Sequence, residues 1–233
     1  KKMSKQEDYI AKKSDSDDYE VHGLFPIPVY IRENYLNEED LGRFQTLKDS
    51  PRSPHVDNTS MYGDRSENSY LLNLPHMIPV KLKIEQHITE YANCVLALAG
   101  EYKITQSWLS IKSPGQRHIM HSHGNSIISG TFYFDNTEEA EGLTFMKTEV
   151  ANCWQMSPLR NPNVNNQFSF TEITVDITNN MLILFPSYLC HKVAGNDTKK
   201  ERYCLAFNCV PKYGLGFEKD LTELEFARIN RDD

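Results

Sequence analysis

The chain changes its hydrophobic rhythm at Gly100, and that change limits its fold more than any other feature. Before it, Val80, Ile84, Ile88, Tyr91, Val95 and Leu98 recur every three or four residues, the stripe of an amphipathic helix closed by Gly100. After it the period shortens to two, or the apolar run is unbroken, over Ile104–Lys112, Ile127–Phe134, Leu143–Lys147, Phe168–Ile177, Met181–Phe185 and Tyr203–Val210. Such runs are strands, because successive side chains in an extended chain point to opposite faces. Pro114-Gly115, Asp135-Asn136, Asn161-Pro162, Asn179-Asn180 and Gly195-Asn196 supply the turns between them. Helices first and about seven or eight strands afterwards predict an α+β, mostly β chain. The architecture expected is a double-stranded β-helix, or jelly roll, with the N-terminal helices packed on one sheet.

The flanking segments complete this reading. Leu24–Ile31 holds two prolines and reads as an edge strand. Asn37 caps a short helix carrying Leu41, Phe44 and Leu47. Residues 50–75 are rich in Ser, Pro, Asn, Asp and Gly and read as a long loop. Phe217–Ile229 reads as a final helix. Residues 1–20 are charged without aliphatic periodicity, so they are expected to be a flexible arm before a single domain spanning 21–233.

Composition narrows the function. A net charge of −7 lacks the basic footprint of a nucleic-acid binder. No apolar run reaches membrane-spanning length, and no signal peptide is expected. The five cysteines form no C-x-x-C pair, which favours reduced thiols in a cytoplasmic compartment over a disulfide frame or a zinc knuckle.

The candidate chemistry lies in histidines. In His121-Ser122-His123 the two imidazoles share a strand face, whereas His118 has the wrong parity unless a bulge intervenes. His191 follows the strand ending at Phe185-Pro186 and is the best third ligand. Three imidazoles on one side of a metal leave the opposite positions open. Arg202 opens the last long strand, whose inner face should line the same interior. A guanidinium there suits a carboxylate.

Together, Trp108, Gly115, His121-x-His123, Asn125-Ser126, Ser129-Gly130-x-x-Tyr133, Gly142-Leu143-x-Phe145, Leu184-Phe185-Pro186-Ser187-x-Leu189-x-His191-x-Val193, Arg202 and Phe207-Asn208 resemble a group of 2-oxoglutarate- and iron(II)-dependent oxygenases. Members of that group are common in marine bacteria and in phages of cyanobacteria, so a bacterial or infected-host cytoplasm is the implied setting. The resemblance covers about residues 24–210. It implies Fe(II) held by His121, His123 and His191, with Arg202 at the distal carboxylate of 2-oxoglutarate. It further implies a hydroxyl donor to that carboxylate. Cys204 occupies the usual position and Tyr133 can supply the hydroxyl instead, while Asn125 and Asn208 orient cosubstrate or substrate. The superfamily's usual motif has an acid where this chain has His123.

The implied activity is a dioxygenase, a hydroxylase of an unidentified small molecule or protein side chain. Dioxygen is the other reactant, no nucleic acid or membrane partner is expected, and a homodimer is left open. Two alternatives stand beside it: a cupin-like metal protein without 2-oxoglutarate, and a non-catalytic barrel. Cupins usually carry a glutamate four or five residues after the second histidine, where this chain has Ile127 and Ile128.

Overall fold

The computed structural model describes residues 26–54, 62–135, 142–147, 170–196 and 198–226. The expected arm over residues 1–20 lies outside them. Strand β1 (Tyr30–Arg32) precedes helix α1 (Glu38–Gln45) and is followed by β2 (Arg52–Pro54) and β3 (Asp64–Ser66). Helix α2 (Ile78–Glu90) leads to β4 (Tyr102–Lys112), β5 (His118–His121), β6 (Ile128–Asp135) and β7 (Leu143–Met146). Then come β8 (Glu172–Val175), β9 (Met181–Pro186), β10 (His191–Val193), β11 (Arg202–Pro211), β12 (Gly214–Leu215) and β13 (Leu224–Glu225).

Helix α1 starts where its sequence demands. Asn37 is extended, and its side-chain oxygen accepts from the Asp40 amide at 2.9 Å, satisfying an N–H that the first turn leaves free. Helix α2 buries Val80, Ile84 and Ile88 and passes into a π turn at Tyr91–Val95. The expected stripe therefore ends early: Tyr91 is buried, but Val95 and Leu98 are exposed.

Two sheets carry eleven of the strands, and β12 and β13 pair in a separate hairpin. The seven-stranded sheet runs β1-β9-β6-β11-β4-β3-β2, and the four-stranded sheet runs β5-β10-β7-β8. One core joins the helices to the large sheet through Phe44, Leu72, Ile84, Phe132, Leu184 and Phe207. A second joins the other face of that sheet to the small one through Tyr133, Phe145, Val175, Ile183 and Phe185. The period-two pattern explains the division: Phe132 and Phe134 point to the helices, Tyr133 to the small sheet. Gly130 is dictated by close packing, because a Cβ there would lie 2.3 Å from the Phe207 ring and 2.7 Å from Leu184.

The closed jelly roll expected from the sequence is corrected here. Among the described residues the large sheet ends at β1 and β2 and the small one at β5 and β8, so neither closes into a barrel. Alternation specifies which face is buried. Closure depends on strand tilt and stagger, which alternation does not encode. The N-terminal helices do pack on one sheet.

Three local expectations also change. The edge strand begins at Tyr30, since Pro26 and Pro28 cannot donate to a ladder. The expected long loop contains β2 and β3, which extend the large sheet beyond β4. Residues 217–226 form a short 3-10 turn and half of the β12–β13 hairpin where a helix was expected. No helix among the described residues is long and apolar enough to cross a membrane.

Candidate metal centre

Strands β5 and β10 pair antiparallel with His191 directly opposite His121. Directly opposed residues share a face, so the two imidazoles meet. His123 lies just past β5, fixed by its own amide donating to the Ser187 carbonyl at 2.9 Å. One ligand atom from each of His121, His123 and His191 can be chosen so that all lie within 4.8 Å of one another. The ring centroids are 4.3 Å apart for His121–His191 and 5.1 Å apart for both other pairs.

The hydrogen bonds set which nitrogens face inward. His121 Nδ1 lies 2.8 Å from the Ile119 carbonyl, and His191 Nδ1 lies 3.0 Å from the Leu189 carbonyl. A carbonyl only accepts, so each Nδ1 carries the proton and each Nε2 presents a bare lone pair. His123 Nδ1 is 2.7 Å from Asn208 Oδ1 and 2.7 Å from Ser129 Oγ. Donation to Asn208 gives the third ring the same tautomer. Behind it runs a hydroxyl chain: Ser129 donates to Asn208 at 2.9 Å, and Ser187 links Ser129 to Ser126 at 2.8 Å on each side. Metal-binding histidines need this outer support to fix ring orientation.

Burial keeps the cluster uncharged. Desolvation, then neighbouring His121, lowers the His191 pKa to about 3. Desolvation also lowers His121 and His123, with Lys112 adding to the first and His121 to the second. Three neutral imidazoles are the protonation state a metal requires.

The large sheet builds the opposite wall. On β11, Arg202 pairs with Lys112 of β4, Cys204 with Ser110, Ala206 with Trp108 and Asn208 with Gln106. Across β6, Cys204 pairs with Tyr133, Ala206 with Thr131 and Asn208 with Ser129. All these residues therefore share the face toward the small sheet. Arg202 and Lys112 are buried at one end of it, and Asn208 meets His123 at the other. The Tyr133 hydroxyl is buried, and desolvation raises its pKa, with Cys204 adding and Arg202 opposing. It is held protonated as a donor.

Thus the structure gathers His121, His123 and His191, and sets Arg202, Cys204, Tyr133 and Asn208 on the facing wall. Asn125 is exposed in a turn with φ of 54°, a left-handed conformation that asparagine tolerates. His118 stacks on His121 at 4.3 Å between ring centroids, beside an irregular register at Val193. Ser129, Ser187 and Lys112 were given no role by the sequence reading. A serine inside the apolar run Ile128–Phe134 was the available signal for the first.

Residues 106–208 match the family model described as "Putative 2OG-Fe(II) oxygenase". Over that segment, which is less than half of the chain, the sequence is similar to 2OG-Fe(II) oxygenases. Solved superfamily members share the fold at low identity. A 2OG-Fe(II) oxygenase family oxidoreductase from Burkholderia pseudomallei is 13% identical, with a TM-score of 0.55 over 78% of this chain and 83% of that one. The epimerase SnoN from nogalamycin biosynthesis, described as non-heme and alpha ketoglutarate dependent, is 11% identical, with a TM-score of 0.58 over 80% of each chain. HygX from Streptomyces hygroscopicus, solved with nickel, 2-oxoglutarate and hygromycin B, is 13% identical, with a TM-score of 0.57 over 81% of this chain and 84% of that one. No curated protein matches the chain in sequence.

Proposed function

We propose that the chain is a 2-oxoglutarate- and Fe(II)-dependent dioxygenase that hydroxylates a small molecule or a protein side chain. The observation that carries this reading is the convergence of three neutral imidazoles, with His121 and His191 fixed as Nε2 ligands by backbone carbonyls. The donor set fits Fe(II), which accepts imidazole readily. His121, His123 and His191 would hold the metal on one side and leave the other for cosubstrate and dioxygen. HygX was solved with 2-oxoglutarate, and the shared fold supports the same cosubstrate here.

Fe(II) with 2-oxoglutarate supplies the oxidation: dioxygen is consumed, succinate and carbon dioxide form, and the substrate gains a hydroxyl. The protein's part is binding, orientation and shielding. Arg202 would take the distal carboxylate through its planar fork, and the protonated Tyr133 hydroxyl would add a donor. Three imidazoles bring no negative charge, so the cosubstrate's two carboxylates supply the charge balance that the superfamily's usual acid provides. Phe185 and Trp108, whose rings each lie 6.4 Å from that of His123, limit water around the ligands.

The test is succinate formation. With Fe(II), 2-oxoglutarate and air, the chain should release succinate even without its substrate, and His191→Ala should abolish the release. Metal binding with no succinate and no 2-oxoglutarate uptake would overturn the reading in favour of a metal protein without cosubstrate.

A further inference from the structure

We propose that Arg65 anchors an anionic group of the substrate beside Trp108, so that the substrate carries a carboxylate or a phosphate rather than being a neutral molecule. This rests on the function proposed above and names the substrate class of that same site.

The sheet order brings Arg65 to the site. The large sheet continues past β4 to β3 and β2, whereas the small sheet stops at β5. Trp108 of β4 stands at the β5 end of the site, with its ring 6.4 Å from that of His123. β3 therefore carries the wall on beside the outer edge of β5, where Ile119 and Met120 are exposed. Arg65 of β3 pairs with Ser110, Ser110 pairs with Cys204, and Cys204 pairs across β6 with Tyr133. Directly opposed residues share a face, so Arg65 is on the face that looks toward the small sheet. Its guanidinium leans along the sheet toward the metal end. Nη1 donates to Ser69 Oγ at 3.4 Å, and the Ser69 carbonyl accepts from the amide of Ser107, the neighbour of Trp108, at 2.9 Å. Ser107 lies nearer than Ser110 to Gln106, the partner of Asn208.

The chemistry of the guanidinium calls for an anion. It has five N–H donors and no acceptor. Among the described residues Arg65 makes that one side-chain hydrogen bond, long and to a neutral oxygen, and ion-pairs with no acid. Other cations of the fold are paired: Arg52 on the next strand with Glu201 at 2.9 Å, Arg43 with Glu39 at 2.6 Å, and Lys83 with Asp40. Acids outnumber lysines and arginines by 32 to 25, so shortage of acids does not leave Arg65 unpaired. The residue is half-buried, and water completes its shell only in part. A carboxylate or phosphate matches its planar fork with two parallel hydrogen bonds. Trp108, also half-buried, offers a flat apolar face beside it for the body of the same molecule. The seat is distinct from that of Arg202, which lies across β4 and on a row further from His123.

The experiment uses the full chain, loaded anaerobically with Fe(II) and saturated with 2-oxoglutarate so that Arg202 is occupied. Calorimetric titration measures Kd for phenylacetate, phenyl phosphate and the neutral phenylacetamide in wild type, Arg65→Gln and Arg65→Lys. Lys keeps the charge and Gln keeps a donor for Ser69 Oγ, so neither leaves the strand without its partner. Wild type should bind the tighter of the two anions at least about 10-fold better than phenylacetamide, the worth of a charged hydrogen bond. Arg65→Gln should bring the three ligands within about threefold of one another, and Arg65→Lys should keep part of the preference. The Kd for 2-oxoglutarate should stay within about twofold of wild type in both variants. A wild type that prefers neither anion, or a preference that survives in Arg65→Gln, would overturn the seat and leave the proposed function standing. Weaker 2-oxoglutarate binding in Arg65→Gln would also overturn it, because Arg65 would then act on the cosubstrate. A wild type that takes metal but no 2-oxoglutarate would overturn the proposed function, and the same three ligands titrated onto the metal-loaded chain would still decide whether Arg65 selects anions.

Discussion

Removing Asn208 should weaken the proposed metal site without touching a proposed ligand. Asn208 Oδ1 lies 2.7 Å from His123 Nδ1 and 2.9 Å from Ser129 Oγ, so it holds the ring and anchors the hydroxyl chain behind it. In Asn208→Ala, His123 retains only Ser129 Oγ at 2.7 Å, and a hydroxyl can either donate or accept. The ring is then free to place its proton on Nε2, which cannot ligate. Loss of such outer partners typically costs about 10- to 100-fold in metal affinity, or about 1.4–2.8 kcal/mol. Asn208→Asp keeps an acceptor and adds charge beside His123 Nδ1–H, so its affinity should equal or exceed wild type. Anaerobic calorimetric titration with Fe(II) measures all three proteins. Wild-type affinity in Asn208→Ala would refute the reasoning, because His123 would then need no acceptor to serve as a ligand.

The metal-free chain should lose stability in acid. A histidine whose folded pKa lies below its usual value takes its proton more readily when unfolded. His191 therefore contributes fully above about 6.5 and progressively less as pH falls toward about 3. Its slope in that window is at most about 1.4 kcal/mol per pH unit, and His121 and His123 add in the same direction. Urea unfolding from pH 8 to pH 4 should show this slope reduced in His191→Gln; an unreduced slope would count against the assignment. Arg202→Ala should weaken 2-oxoglutarate binding by about 2–5 kcal/mol and barely alter metal affinity. Titration of each ligand separates the two effects. Gly130→Ala should destabilise the fold by about 1–3 kcal/mol, because its methyl group overlaps Phe207 and Leu184. A melting temperature equal to wild type would show that the large sheet relaxes around it.

The long strands were legible because alternation, or in β9 an unbroken apolar run between turn signals, marks a strand. β4, β6, β9 and β11 fall within one to two residues of their expected bounds at most ends. β2 and β3 were not legible: Arg52-Ser53-Pro54 and Asp64-Arg65-Ser66 hold no apolar residue to alternate, and β3 is placed by pairing with β4. The openness of the sheets was hidden as well: the prolines before β1 marked one edge, but β2, β5 and β8 carry no such sign. Spacing could group His121 with His123 and suggest His191. It could not show that Asn208 supports His123 and does so through its side-chain oxygen, because that depends on the register of β11 against β6. Lys112 was hidden for the same reason: a lysine at a strand end is normally solvated, and only its pairing with Arg202 makes it part of an interior.

The most direct measurement is the visible spectrum of the chain titrated anaerobically with Fe(II) and then 2-oxoglutarate. The account predicts a weak charge-transfer band that requires both additions, disappears in His191→Ala, and in Arg202→Ala needs much more 2-oxoglutarate to form. A spectrum unchanged by 2-oxoglutarate at full Fe(II) occupancy would contradict it, since the three imidazoles would then hold a metal that takes no cosubstrate.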